Sequence, residues 1–171
     1  MQINTILTIT RRLIMGLDMY LKENNYISTY LGREKVFKFE VIVKSYDKNG
    51  EVLKTTEQVC VEPASGLELN IPVGYWRKAN AIHKWFVDNC GDGIDNCQKM
   101  YVNYEKLSEL KKICEDVLAD RNKASELLPT TEGFFFGSTE YDEDYFNDVR
   151  DTIDIINKCS DGKSYEYEAS W

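Results

Sequence analysis

Residues 36–62 read VFKFEVIVKSYDKNGEVLKTTEQVCVE. Two runs in which apolar and polar residues alternate flank Asp47-Lys48-Asn49-Gly50, whose residue types supply left-handed turn positions. The pattern is that of a β-hairpin. A hairpin near the front of a chain in which strands and helices come in mixed order favours an α+β fold over a doubly wound parallel sheet. Upstream, GLDMYLKEN from Gly16 sets Leu17, Met19 and Leu21 against Asp18, Tyr20 and Lys22, a strand with one apolar face. Downstream, Pro63 to Gly74 reads as a connector in which LELNIPV could add a short strand.

Helical periodicity predicts a first helix over 75–89, ended by Cys90-Gly91-Asp92-Gly93. A brief strand over 98–103 and a second helix over 104–121 follow, the helix with Leu107, Leu110, Cys114, Val117 and Leu118 as its apolar stripe. Ala124 to Leu128 fits one helical turn before Pro129, and Gly133 to Gly137, GFFFG, a buried strand or tight connection. A third helix is expected over 142–159, capped by Ser138, Thr139 or Asp142, and SYEYEASW alternates as a closing edge strand. The expected architecture is a single α+β domain over 15–171: a small, mostly antiparallel sheet with a hairpin, packed by about three helices.

The 171 residues carry 29 acidic and 21 basic side chains, a formal charge of −8. That balance argues against direct binding of nucleic acid; it serves either solubility or steering toward a basic partner. Five cysteines form an odd set with no charged region ahead of the first apolar residues, which predicts reduced thiols in a cytoplasm. No run approaches the length of a membrane span, and no membrane partner is expected. Arg11-Arg12 can be encoded by a purine-rich ribosome-binding sequence two codons ahead of Met15. Met15 is therefore expected as the natural start, with residues 1–14 a translated leader or disordered extension.

Chemistry-bearing residues concentrate in Tyr75 to Cys97, YWRKANAIHKWFVDNCGDGIDNC. On a helical wheel Tyr75, Ala79, Ile82 and Phe86 form a core face, and Arg77, Ala81, Lys84 and Asp88 a solvated one. Trp76, Asn80, His83 and Val87 form the border. His83, the only histidine, is the residue with which a general base would start; its competing role is hydrogen-bonded packing. His83, Cys90 and Cys97 could hold zinc with Cys114, Cys60 or an aspartate as fourth ligand, although the spacing lacks the short pairs of a finger or ribbon. No cofactor is otherwise indicated, and the GxSxG, Walker, HExxH and dinucleotide signatures are absent.

Three blocks, MGLDMYL (15–21), VGYWRKANAIHKWFVDN with DGIDNC (73–97) and LLPTTEGFFFGSTEYDEDYF (127–146), resemble a family of small proteins encoded by tailed phages and prophages. The likeness covers most of the chain from Met15 except 24–72. It implies an accessory protein acting in the host bacterial cytoplasm. Matching positions nominated for ligand binding are Asp18, Tyr20, Trp76, Arg77, Asn80, His83, Ser138, Glu140, Tyr141 and Asp142, with Trp85, Asp88 and Cys97 beside them. The same residues would equally serve to bolt the first helix to the strand and loop around it.

Two functions compete. One is a non-enzymatic protein that binds a host factor, such as a nucleic-acid-binding defence effector, and antagonises host defence as an anti-CRISPR or an inhibitor of nucleotide signalling. The other is a binder of, or enzyme on, a small nucleotide-like ligand, with His83 as acid-base group and Arg77 facing the anionic charge. The missing enzyme signatures lean toward the first.

Overall fold

The computed structural model describes residues 16–28, 37–62 and 66–171. The stretch 1–14 expected as a leader lies outside the described residues. Strands β1 (Asp18–Ser28), β2 (Phe37–Tyr46), β3 (Val52–Glu62) and β4 (Gly66–Arg77) come first, followed by helix α1 (Asn80–Cys90) and strand β5 (Met100–Asn103). Then come α2 (Tyr104–Ala119), a 3-10 turn at Arg121–Lys123, the one-turn α3 (Ala124–Leu127), α4 (Glu143–Ile156) and β6 (Ser164–Ser170). The fold class is α+β, with a four-stranded antiparallel sheet in the order β4-β1-β6-β5.

The chain divides into two compact units, one formed by Asn25–Asn70 and the other by the segments before and after it. In the smaller unit β2 and β3 pair antiparallel as a sheet of their own, in register from Phe37↔Glu62 to Lys44↔Thr55. At the turn Asp47 accepts hydrogen bonds from the amides of Asn49 (2.8 Å) and Glu51 (2.9 Å), which holds its carboxyl below the usual range. Gly50 alone of the four turn residues takes a left-handed angle, φ +85°.

In the larger unit the alternation in β1 acts as expected: Leu17, Met19 and Leu21 are fully buried. They meet Tyr165, Tyr167 and Ala169 of β6, β1 and β6 pairing from Asp18↔Ser170 to Asn24↔Ser164. SYEYEASW is thus a central strand, not the expected edge, because β5 takes its other side from Met100↔Tyr167 to Asn103↔Ser164. Phe86 of α1 stacks on Tyr167 at 4.0 Å, and Leu107, Leu110, Cys114 and Val117 of α2 complete the core with Phe146 and Val149 of α4. The expected cap of α4 resolves to Asp142, whose side chain accepts from the amide of Tyr145.

The first helix is shorter than its periodicity predicts. β4 runs through Arg77, so Tyr75 and Trp76 alternate across a strand: Tyr75 is exposed, while Trp76 is buried and donates Nε1–H to Thr152 Oγ1 at 2.9 Å. Lys78, at φ +62°, turns the chain from strand to helix and donates its amide to Leu17 O at 2.8 Å. GFFFG is a turn, not a buried strand. Phe136 is buried, Phe135 half-buried and Phe134 exposed.

Candidate functional site

A cleft of about 300 Å³ opens where the start of α1, the 137–142 loop and the first turns of α4 converge. Of the residues nominated from sequence, Arg77, Asn80, Ser138, Glu140 and Asp142 line it; Lys78, Thr130, Asp144, Tyr145 and Asp148 join them. The joint at Lys78 puts the α1 N-terminus at the cleft, and no side chain caps that helix. Ala81 and Ile82, in the first turn, line the wall. Arg77 and Lys78 stand exposed beside them with no ion pair among the described residues.

The opposite wall is acidic. Asp144, Asp148 and Asp151 recur at three- and four-residue intervals on α4 and so share a face. Burial pushes the Asp148 carboxyl up to about 7, and repulsion from Asp151, Asp144 and Asp142 adds to it. No hydrogen bond or ion pair among the described residues relieves this carboxylate. The signal for Asp148 was readable in DEDYFNDVRD, where the aspartates keep helical spacing.

This raised value makes a stability prediction. A carboxyl whose folded value exceeds its unfolded one contributes stability that is complete below about pH 4 and is lost as pH rises through about 7. Asp148→Asn removes that loss. The variant is expected to melt above the parent at pH 8 and level with it near pH 4; differential scanning calorimetry at both values reads the difference. An unchanged melting temperature at pH 8 would show that the carboxylate is not under electrostatic stress.

The other nominated residues are placed elsewhere. Asn80 touches the cleft, yet its amide is fully used: Nδ2 donates to Phe136 O (3.1 Å) and Ser138 O (2.7 Å), and Oδ1 accepts from the Thr131 amide (3.1 Å). It bolts α1 to the 130–138 loop. Asp18 and Tyr20 lie on the outward side of β1 with Tyr75, whose hydroxyl donates to Asp18 Oδ1 at 2.5 Å; that bond lifts the phenol to about 12. Tyr141 packs edge-on against Tyr145 and accepts from the Thr130 amide. Trp85 is buried, and Asp88 pairs with Lys84 on the exposed side of α1.

His83 is only 1% exposed, and both ring nitrogens are taken. Nε2 lies 3.1 Å from Asp95 Oδ1 and Nδ1 2.7 Å from Tyr167 Oη. A carboxylate only accepts, so Nε2 carries the hydrogen and bare Nδ1 accepts from the tyrosine hydroxyl. Burial lowers the imidazole below its ordinary value despite Asp95, which keeps the ring neutral. Sequence reasoning missed Asp95, which a loop carries back to His83 across twelve positions.

Zinc does not fit this arrangement. Among the described residues no three His, Cys, Asp or Glu side chains gather as a metal site. Binding through His83 would break one of its two bonds. Cys97 is exposed on the following loop and Cys114 buried in the core; the side chain of Cys60 lies outside the described residues.

The chain matches no family model, no curated protein and no solved structure among those compared. Among the described residues no helix is long and apolar enough to cross a membrane. The chemistry of the cleft is therefore read from its own walls.

Proposed function

We propose that this protein is a phage- or prophage-encoded accessory protein that binds a basic host protein in the bacterial cytoplasm and antagonises host defence. The supporting observation is Asp148, an unrelieved carboxylate in an acidic cleft that a lysine or arginine side chain of a partner would neutralise. Strongly perturbed carboxylates in clefts cluster at functional sites. The net charge of −8 favours encounter with such a partner, a nucleic-acid-binding defence effector being the chemical type that fits.

Affinity purification from host lysate tests this. The expected result is one specific basic protein, held more tightly at pH 8 than at pH 6 because Asp148 must be ionised, released by salt, and lost with Asp148→Asn. Expression in a host with active CRISPR or nucleotide-signalling immunity should raise phage plating efficiency, and the same variant should abolish that rise. Recovery of no specific protein counts against the proposal.

A second reading rests on the opposite wall. The uncapped α1 N-terminus with unpaired Arg77 and Lys78 would suit the phosphate of a small nucleotide-like ligand. Melting curves across a nucleotide panel check it: an upward shift that Arg77→Ala removes supports it, and no shift with any nucleotide leaves it without support. The enzymatic form of this reading draws nothing from His83, whose ring is enclosed and doubly bonded.

A further inference from the structure

Within one tight loop, Phe136 is 6% exposed and Phe134 is 92% exposed. Phe136 folds back between His83 and Trp171, at ring distances of 5.2 and 5.7 Å. Gly133 makes room for it, since a Cβ there would sit 2.4 Å from the Phe136 ring. Phe134 points out, with the ring of half-buried Phe135 edge-on to it at 4.5 Å.

The loop that presents Phe134 is firmly held. Leu17 donates its amide to Phe135 O (3.2 Å), Phe136 N donates to Gly133 O (3.2 Å), and Asn80 clasps the carbonyls of Phe136 and Ser138. A large apolar side chain on a preorganised loop loses little freedom on binding, which is the economy of an interface anchor. The same loop continues through Gly137, Ser138 and Glu140 into the wall of the acidic cleft. Exposed Glu132 and Glu140 flank it, and their charge repels an anionic bilayer while attracting a basic protein.

We propose that Phe134 is the apolar anchor of the interface whose cationic half enters the cleft, so that the partner is a basic segment with a large apolar residue beside its lysine or arginine. This rests on the host-protein reading above and adds the second contact. The occupant is a protein other than a second copy of this chain, because two copies of a surface of this charge repel.

The test selects a yeast-displayed library of random dodecapeptides against the purified protein and measures synthetic winners by fluorescence anisotropy. The expected winners pair lysine or arginine with large apolar residues. They should bind Phe134→Ser about tenfold or more weakly, at an unchanged melting temperature, and lose affinity with Asp148→Asn. Basic winners that bind Phe134→Ser as well as the parent overturn the anchor and leave the cleft reading standing. An absence of winners, or winners without basic residues, overturns both. Sedimentation and flotation with phosphatidylglycerol vesicles close the remaining routes: a dimer abolished by Phe134→Ser, or vesicle binding, overturns the proposal in favour of a second copy or a bilayer.

Discussion

Asn80→Ala is expected to lower the melting temperature by about 6–12 °C. The substitution removes three hydrogen bonds at once, leaving the carbonyls of Phe136 and Ser138 and the amide of Thr131 without their partner. Asn80 is 3% exposed, so water does not simply replace the amide, and about 3 kcal/mol is at stake. For a chain of this size each kilocalorie is worth about 2–4 °C. The loss should be local as well as global: hydrogen exchange of the 130–138 amides should accelerate in the variant while β1 and β6 stay protected. Asn80→Asp is expected to be worse at neutral pH, since it keeps the acceptor for Thr131 but turns an oxygen toward two carbonyls. Lowering the pH should restore part of that extra loss. A melting temperature within a degree of the parent for Asn80→Ala would refute the bolt.

His83→Ala has an expected cost of about 3–4 kcal/mol, combining the cavity left by the ring with the unpaired hydroxyl of Tyr167. Tyr167 is fully buried, and burial holds its phenol well above the ordinary value, so it cannot ionise to escape. The same histidine gives stability a pH dependence of known sign. Its folded value is depressed, so its contribution is complete above the unfolded value of roughly 6.5 and is lost as pH falls from there through the folded value. Asp148 works in the opposite sense over the same interval, so the reading is the difference: in denaturant titrations the stability of the parent over His83→Ala should shrink from pH 8 to 5. A difference that grows as pH falls would mean that Asp95 outweighs burial and that the ring is charged.

Much of the fold was legible because period and capping are local properties. Leu17, Met19 and Leu21 announced a buried strand face, the stripe from Leu107 to Val117 gave α2 to within two residues, and Asp142 was among three candidates for the α4 cap. What failed was the joint between β4 and α1. YWRKANAIHKWF keeps a helical period by coincidence through Tyr75, and a left-handed lysine at position 78 leaves no trace in sequence. The position of β6 was equally hidden: alternation reports that one face is buried and says nothing of how many neighbours pair with the strand. Site residues followed the same rule. Ser138, Glu140 and Asp142 were nominated from one block and Arg77 from another, and only the fold sets the two at one cleft, just as the pairing of His83 with Asp95 depends on the path of a loop.

The central place of β6 governs the order in which the molecule is made. The ion pair between Lys22 and Glu168 joins positions 146 residues apart, and the strands that carry it are neighbours in the sheet. During synthesis β1 meets β4 on one edge long before β6 emerges to take the other. Helices α1, α2 and α4 form meanwhile above a sheet that lacks its middle. Closure of so distant a pair is slow relative to helix formation, so completion of this sheet waits on β6, which follows its other three strands in the sequence. A chain cut before Ser164 would leave β5 without a partner in the sheet and β1 with β4 alone.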